Sequence, residues 1–437
     1  MTKILGLLLF TILMMNSAMA KVYDHTEGNK LTLLEDPAAS AEYKMELIRN
    51  AKHHINILTF FWDNSTIPER MAIELSKANA RGVEVRILTT FVPTLSTDVM
   101  GVGRKNLKAE SDATFAYVSL TPGAKFSLTH NLHEKVFIVD GEKAIIGGRN
   151  ISDSSLRGKD MEVQMEGPVV NQVQDHYKKM FDFVTGLKIK SSCVREDIID
   201  ECIAKFKKTM FSLEDKKYFP DQKIYEDGVD ARIISHEALI HQYKRGMNKQ
   251  QRLLQEDDIL DTVIKFDFKK LRAYNYFIIP TARWRSFLEK NLAAGNSIDM
   301  ITNSLESAKF SSNWGYIYSI PDVIDLMKKG LEVYQWQRNQ KLNYVHEKVL
   351  IFDDEHVIIG SHNFGTGSTG VSDEIVVEVK SRAIAARLTE VFDAEKMDPK
   401  ITQKATLESL GAEESKYSRM IKYIRTKALS SFLFEIY

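Results

Sequence analysis

The chain has 437 residues, 59 Lys+Arg against 59 Asp+Glu, 44% hydrophobic residues and two cysteines. At ~100–200 residues per domain this implies two or three domains or one duplicated unit; the apolar content excludes a disordered chain, and two cysteines exclude a disulfide scaffold or a Cys-rich zinc fold. A formal net charge of zero means that no global basic field draws the protein to nucleic acid.

Residues 1–20 stand apart. Lys3 is a short positive region, Ile4 to Met15 is an apolar run, and Ala18 and Ala20 put small residues at the two positions before a cut. This pattern predicts a secretory signal peptide cleaved after Ala20 and an exported mature chain. A bilayer span needs about 20 apolar residues, and the mature chain, 21–437, is expected to have none. Ile55 to Trp62 alternates as a strand ending in aromatics. A helix with Met71, Leu75 and Ala78 follows, stopped at Gly82, and Val83 to Leu88 reads as the next strand. The stretch from Thr90 to Thr129 is long for a connection. It stands immediately before the His133 segment, placed to cover a cleft or to touch a membrane.

His133-Glu134-Lys135-Val136-Phe137-Ile138-Val139-Asp140 recurs as His346-Glu347-Lys348-Val349-Leu350-Ile351-Phe352-Asp353, and Gly147-Gly148-Arg149-Asn150 as Gly360-Ser361-His362-Asn363. Every counterpart lies 213 residues downstream, without a gap over eighteen positions. Chance does not produce this. Helical segments around Gln172–Phe183 and Ala383–Phe392 follow the two copies. In the second half Tyr274–Pro280, Phe287–Leu292, Gly295 and Ser297–Ile301 read as strand, helix, stop and strand. Strands alternating with helices imply βαβ units and an α/β fold class. The expected division is an N-terminal half at 21–190, a charged helical linker at 191–225 and a C-terminal half at 226–437. Within the linker, Asp197–Phe211 has an amphipathic face. Cys193 and Cys202 would lie on opposite sides of one continuous helix, about 13 Å apart and too far to bridge. If Cys193 precedes the helix, an oxidising compartment favours the bond. Both arrangements stay open.

The pattern His-x-Lys-x4-Asp-x6-Gly-(Gly/Ser)-x-Asn, present twice, resembles the phospholipase D superfamily. Arg81–Arg86 and Gly167-Pro168 resemble its bacterial cardiolipin synthase and phospholipase D-like branch. The resemblance implies two similar α/β halves about a pseudo-twofold axis, one shared active site, and a monomer, since both motifs are in one chain. Residues two apart on a strand share a face, so His133 with Lys135, and His346 with Lys348, each present an imidazole beside an ammonium. Together they suit a phosphodiester. One imidazole attacks phosphorus and the other protonates the leaving alcohol, while the lysines stabilise charge, so neither a metal nor a cofactor is expected. The family leans to His133 as the nucleophile. A nucleophilic imidazole needs an acceptor at its other nitrogen. The resemblance points to a carboxylate on the next strand: Asp160, 27 residues after His133, and Glu374, 28 after His346. It implies a scaffold role for the motif residues Asp140 and Asp353, and it implies that Asn150 and Asn363, supported by Ser361, position the phosphate or the histidines.

Other features read more plainly. His53, His54 and His130 have no metal-ligand spacing, and no HExxH occurs. Of the strand-end aromatics, Trp62 and Tyr276 are the candidates for lining a cleft. The basic run from Tyr243 to Arg252 suits either anionic headgroups or a solvated helix face, and Glu256-Asp257-Asp258 follow it. The leading expectation is an exported, metal-independent phosphodiesterase or phosphatidyltransferase working through a phosphohistidine on glycerophospholipid at a membrane surface. Two alternatives are a nuclease of the same superfamily, against which the neutral charge argues, and a non-catalytic binding protein on the same fold.

Overall fold

The structure, a computed structural model, describes residues 22–60, 62, 65–90, 125–129, 132–186, 226–238, 257–308, 313–338, 342–370 and 372–425. The expected signal peptide, the Cys193 and Cys202 linker, the Tyr243–Arg252 run, His130 and most of the Thr90–Thr129 stretch lie outside the described residues. In the N-terminal half, β1 (Thr26–Leu34), α1 (Pro37–Asn50), β2 (His54–Thr59), α2 (Thr66–Ala80), β3 (Glu84–Thr90) and β4 (Lys125–Thr129) precede the first motif. Its hairpin is β5 (Val136–Val139) and β6 (Lys143–Gly147), followed by β7 (Gly158–Lys159), β8 (Glu162–Glu166) and α3 (Val169–Gly186). The C-terminal half begins with β9 (Glu226–His236), α4 (Asp258–Val263), β10 (Lys270–Tyr274), α5 (Ala282–Ala293), β11 (Ser297–Asn303), α6 (Asn313–Met327) and β12 (Glu332–Trp336). Then come β13 (Tyr344–Val345), the second motif hairpin β14 (Val349–Phe352) and β15 (His356–Gly360), α7 (Thr366–Gly370), β16 (Glu374–Lys380), α8 (Arg382–Met397), β17 (Thr402–Lys404) and α9 (Leu407–Tyr423).

Local chemistry sets these boundaries. Asp36 accepts from the N–H groups of Ala38 and Ala39, and Pro37 opens α1. Ser381 caps α8 at Ile384. Gly82, at φ 93°, turns the chain out of α2.

Among the described residues, fifteen strands form one continuous sheet, in the order β17-β12-β11-β10-β14-β15-β16-β9-β1-β8-β6-β5-β2-β3-β4. Outward from the centre, the arm β1-β8-β6-β5-β2-β3-β4 repeats as β9-β16-β15-β14-β10-β11-β12. The fold is therefore two equivalent α/β halves related by a pseudo-twofold axis at the antiparallel β1–β9 pair. Register shifts interrupt that pair. Gly28 and Gly228, at φ 76° and 77°, supply the left-handed backbone on each strand. One hydrophobic cluster spans the seam. Val173, Tyr177 and Met180 of α3 pack with Ile384, Leu388 and Phe392 of α8 over Val136, Ile138, Val349 and Ile351 of the motif strands. On the opposite face, α1 and α2 cover β2 and β3 through Leu47, Ile48, Met71 and Leu75. Among the described residues no helix is long and apolar enough to cross a membrane.

Three expectations are corrected. The second-half strand is Lys270–Tyr274, so it ends where Tyr274–Pro280 was expected to begin it. Residues 271–279 carry buried apolar groups on both sides of the strand end, and alternation does not mark where pairing stops. The Thr90–Thr129 stretch is not wholly a connection, because Lys125–Thr129 pairs in parallel with β3. Finally, His133 and Lys135, like His346 and Lys348, precede their strands rather than lying within them.

Candidate active site

The segment leading into each motif crosses to the other half. Leu132 bridges Asp373 and the His133 N–H donates to the Asp373 carbonyl at 3.0 Å. Likewise β13 pairs with β7, and the N–H groups of His346 and Glu347 both donate to the Lys159 carbonyl. This exchange pulls both histidines to the pseudo-axis.

It also decides which carboxylate serves which histidine. Reading Asp160 with His133 and Glu374 with His346 by sequence proximity gives the wrong pairs. His133 Nδ1 lies 2.9 and 3.0 Å from the two oxygens of Glu374, and His346 Nδ1 lies 2.8 Å from Asp160 Oδ2. Each imidazole is held by the opposite half. Carboxylates accept, so each Nδ1 carries the hydrogen and each Nε2 keeps its lone pair. Burial holds both histidines down to about 4, against the pull of their carboxylates, and each feels the positive charge of both lysines. The two His–Lys pairs thus share one electrostatic site. Burial also brings Lys135 down to about 7 and Lys348 to about 8. Each Nζ donates to the carbonyl of its own histidine, at 2.5 Å for Lys135. Burial alone would raise Glu374, but His133 and Lys135 hold it down to about 2; Asp160 is lowered against its burial by His346 and Lys348.

The two carboxylates are braced differently. Glu374 accepts from Ser368 Oγ at 2.6 Å on one oxygen and from Ser361 Oγ on the other. Ser361 therefore braces the carboxylate rather than facing a phosphate. Asp160 accepts from the Met161 N–H at 2.9 Å. Gly148, the counterpart of Ser361, lies so close that a Cβ there would sit 2.2 Å from Asp160 Oδ1. Gly148→Ala should therefore displace Asp160 from His346. The expected readout is a change in the His346 ring-nitrogen resonances, with those of His133 unmoved; unchanged His346 signals would contradict this packing.

Asp140 and Asp353 are not in the cluster. At φ 54° and 50° they end the motif strands. Asp140 accepts from the N–H groups of Lys52, His53 and His54, and Asp353 from those of Lys269 and Lys270, so both brace turns. Asn150 and Asn363 follow the motif glycines with buried amide oxygens that have no partner among the described residues.

Several neighbours escape a sequence reading. Phe60 sets its ring edge-on to His133 at 4.9 Å, 5.1 Å from Lys135 Nζ. Tyr276, which the sequence did offer as a cleft residue, does the same for His346 at 5.4 Å and Lys348 at 5.8 Å. Trp62 is core, 2% exposed. The central motif glutamates point away, behind the site. Glu134 holds His176 Nε2 at 2.9 Å, and Glu237 of the other half lies 3.5 Å from His176 Nδ1; despite burial, these carboxylates push His176 up to about 10. Burial raises Glu347 to about 7, although Lys159 of the other half stands 3.5 Å away. Among the described residues no group of three or more His, Cys, Asp and Glu is placed to hold a metal ion.

Comparison with known proteins agrees with this geometry. The chain is 24% identical over 407 residues to an uncharacterized protein of Helicobacter pylori, covering 84% of this chain and 79% of that protein. It is 24% identical over 389 residues to cardiolipin synthase 1 of Staphylococcus epidermidis, covering 87% and 70%. The crystal structure of phosphatidylserine synthase from Haemophilus influenzae superposes with a TM-score of 0.62 at 12% identity, covering 91% of this chain and 94% of that one, a likeness of fold. The family model for the cardiolipin synthase, PLD-like domain matches twice, at residues 45–183 and 269–396, together more than half of the chain. With one matched domain around each His–Lys pair, the chain belongs to the phospholipase D superfamily, in its cardiolipin synthase-like branch.

Proposed function

We propose that this chain is an exported phosphatidyltransferase or phospholipase D that cleaves glycerophospholipid at a membrane surface through a phosphohistidine on His133. The observation that carries the reading is the crossed pair of His–carboxylate contacts around two buried lysines, in a chain of the cardiolipin synthase-like family. His133 Nε2 attacks phosphorus, forming the P–N bond as the bond to the leaving alcohol breaks. His346 reacts in its imidazolium form, Nε2 having taken a proton from solvent while Asp160 holds Nδ1–H. It gives that proton to the alcohol, then takes one from water or a second alcohol, which attacks phosphorus and releases His133. Glu374, touching His133 with both oxygens, offsets the charge of the imidazolium adduct. The His346 side chain is 19% exposed against 9% for His133, which suits proton exchange with the entering and leaving alcohols. Lys135 and Lys348 neutralise the non-bridging oxygens, and the Asn150 and Asn363 amides stand to donate to them.

The lysines give this reading a pH signature. A bound phosphodiester anion favours their charged forms, so their pKa values rise above about 7 and about 8 on binding. A soluble phosphodiester should therefore bind with proton uptake near pH 8 and with little near pH 6, where both amines are already charged. Calorimetry in buffers of differing ionisation enthalpy reads the difference, and uptake that is absent at pH 8 would contradict the assignment.

The function itself is tested by mass spectrometry of lipid products. Purified residues 21–437 would be incubated with phosphatidylglycerol and phosphatidylethanolamine vesicles, a primary alcohol and EDTA. Phosphatidic acid, cardiolipin or a phosphatidyl-alcohol is expected from the wild type and not from His346→Ala. Absence of every lipid product would overturn the reading and make DNA and RNA the next substrates.

A further inference from the structure

Behind Glu374 lies a second buried cluster, built from different residues than the Arg149–Glu162 cluster beside Asp160. Asp257, the N-cap of α4, spends one oxygen on the Leu260 N–H at 3.0 Å. Its other oxygen accepts from His362 Nε2 and Thr369 Oγ1, both at 2.8 Å. The Phe364 N–H points at His362 Nδ1 at 2.9 Å. The neighbouring carboxylate favours an imidazolium, but that N–H leaves no room for a second proton, so His362 is fixed as the Nε2–H tautomer. From β9, His236 Nε2 donates to the Thr369 carbonyl at 3.0 Å. Asp257, His362 and His236 are completely buried, and Thr369 nearly so.

The two residues that Asp257 holds adjoin the two serines that hold Glu374. Ser361 precedes His362, and Ser368 precedes Thr369. The serines clasp opposite oxygens of Glu374, and both oxygens face His133 Nδ1. A third tie, from the Asn363 N–H to Ser368 Oγ at 3.0 Å, closes the loop. In the N-terminal half, Arg149 occupies the place of His362 and binds Glu162 at 3.2 Å and the carbonyls of Leu34, Glu35 and Asp160. The arrangement around His133 is thus built separately from that around His346.

We infer that Asp257 is a positioning residue for the reaction: through His362 and Thr369 it fixes the Ser361–Ser368 clasp, which sets the Glu374 carboxylate and hence the tautomer and aim of His133. This rests on the reading of His133 as nucleophile. Asp257→Asn keeps the shape and the Leu260 cap, but it removes an acceptor from Thr369 and turns an N–H toward His362 Nε2. Thr369→Val removes one donor alone.

Both variants would be made in the full chain and compared with wild type for melting temperature, kcat and KM on phosphatidylglycerol vesicles, and the ring-nitrogen resonances of His133 without substrate. The expected result for Asp257→Asn is a kcat lower by about 10–100-fold, KM unchanged, and displaced His133 resonances. Thr369→Val should move the same quantities in the same direction by less. A lowered melting temperature with kcat and the His133 resonances unchanged would overturn the proposal, leaving Asp257 a purely structural cap. Should Asp257→Asn fail to fold, the Thr369→Val result decides in the same terms. If the wild type turns over no lipid, the functional reading fails by itself, while the resonances still test the link from Asp257 to His133.

Discussion

His133→Asn is expected to lower turnover by about 10⁴–10⁶-fold, the scale of removing a covalent nucleophile, while cooperative melting persists. Asparagine can still offer an N–H toward Glu374, which keeps its contacts with Ser361 and Ser368. The cost to folding is therefore about 1–2 kcal/mol, that of a weakened buried hydrogen bond. Lys135 and Lys348 remain, so binding of a phosphodiester should weaken far less than turnover. Vesicle turnover together with thermal melting checks this. A variant that loses its melting transition would mean that His133 belongs to the core, and one that keeps full turnover would remove it from the chemistry.

Glu374→Gln should cost nearly as much, about 10³–10⁴-fold in kcat, although Glu374 lies 241 residues from His133 in sequence. A carboxylate can only accept, so it holds the hydrogen on Nδ1 and leaves the Nε2 lone pair facing the site. Glutamine can turn an N–H toward Nδ1, which favours the opposite tautomer and blocks attack; a tautomer error in a serine protease triad costs about 10⁴-fold. Because Glu374 acts through His133, the double variant His133→Asn, Glu374→Gln should be no worse than His133→Asn alone. Fully additive losses would mean that Glu374 acts elsewhere. The contrast with Asp160→Asn is informative, because that substitution disturbs His346 instead.

The duplicated motif made much of this legible. An ungapped offset of 213 residues marks the two halves and identifies the histidines and lysines, whereas Asp160 and Glu374, 214 residues apart and beyond that match, were legible only through the family resemblance. The crossing of the carboxylates was not legible, because it depends on two lead-in segments exchanging between halves, and no local pattern encodes which edge a short strand meets. Asp257 was hidden in the acidic run Glu256-Asp257-Asp258, which reads as solvated surface; only the fold shows it completely buried against His362. Ser368 gives no signal in the sequence, standing in the small polar run Gly365-Thr366-Gly367-Ser368-Thr369-Gly370. Phe60 was overlooked in favour of Trp62, since an aromatic strand end does not say which ring turns inward. The glutamates Glu134 and Glu347 could have been flagged, because an acid between His and Lys on an extended segment must face away from both, and so into a buried layer.

The most direct test of one site built from both halves uses an aryl phosphodiester, whose phenolate leaves without a proton donor. With His346→Asn, a burst of one phenolate per enzyme is expected, together with a phosphoryl adduct on the peptide containing His133, because attack proceeds but water is not activated to release it. With His133→Asn neither burst nor adduct should form. An adduct on His346 would exchange the two roles, and steady turnover by either variant without any adduct would contradict the covalent account.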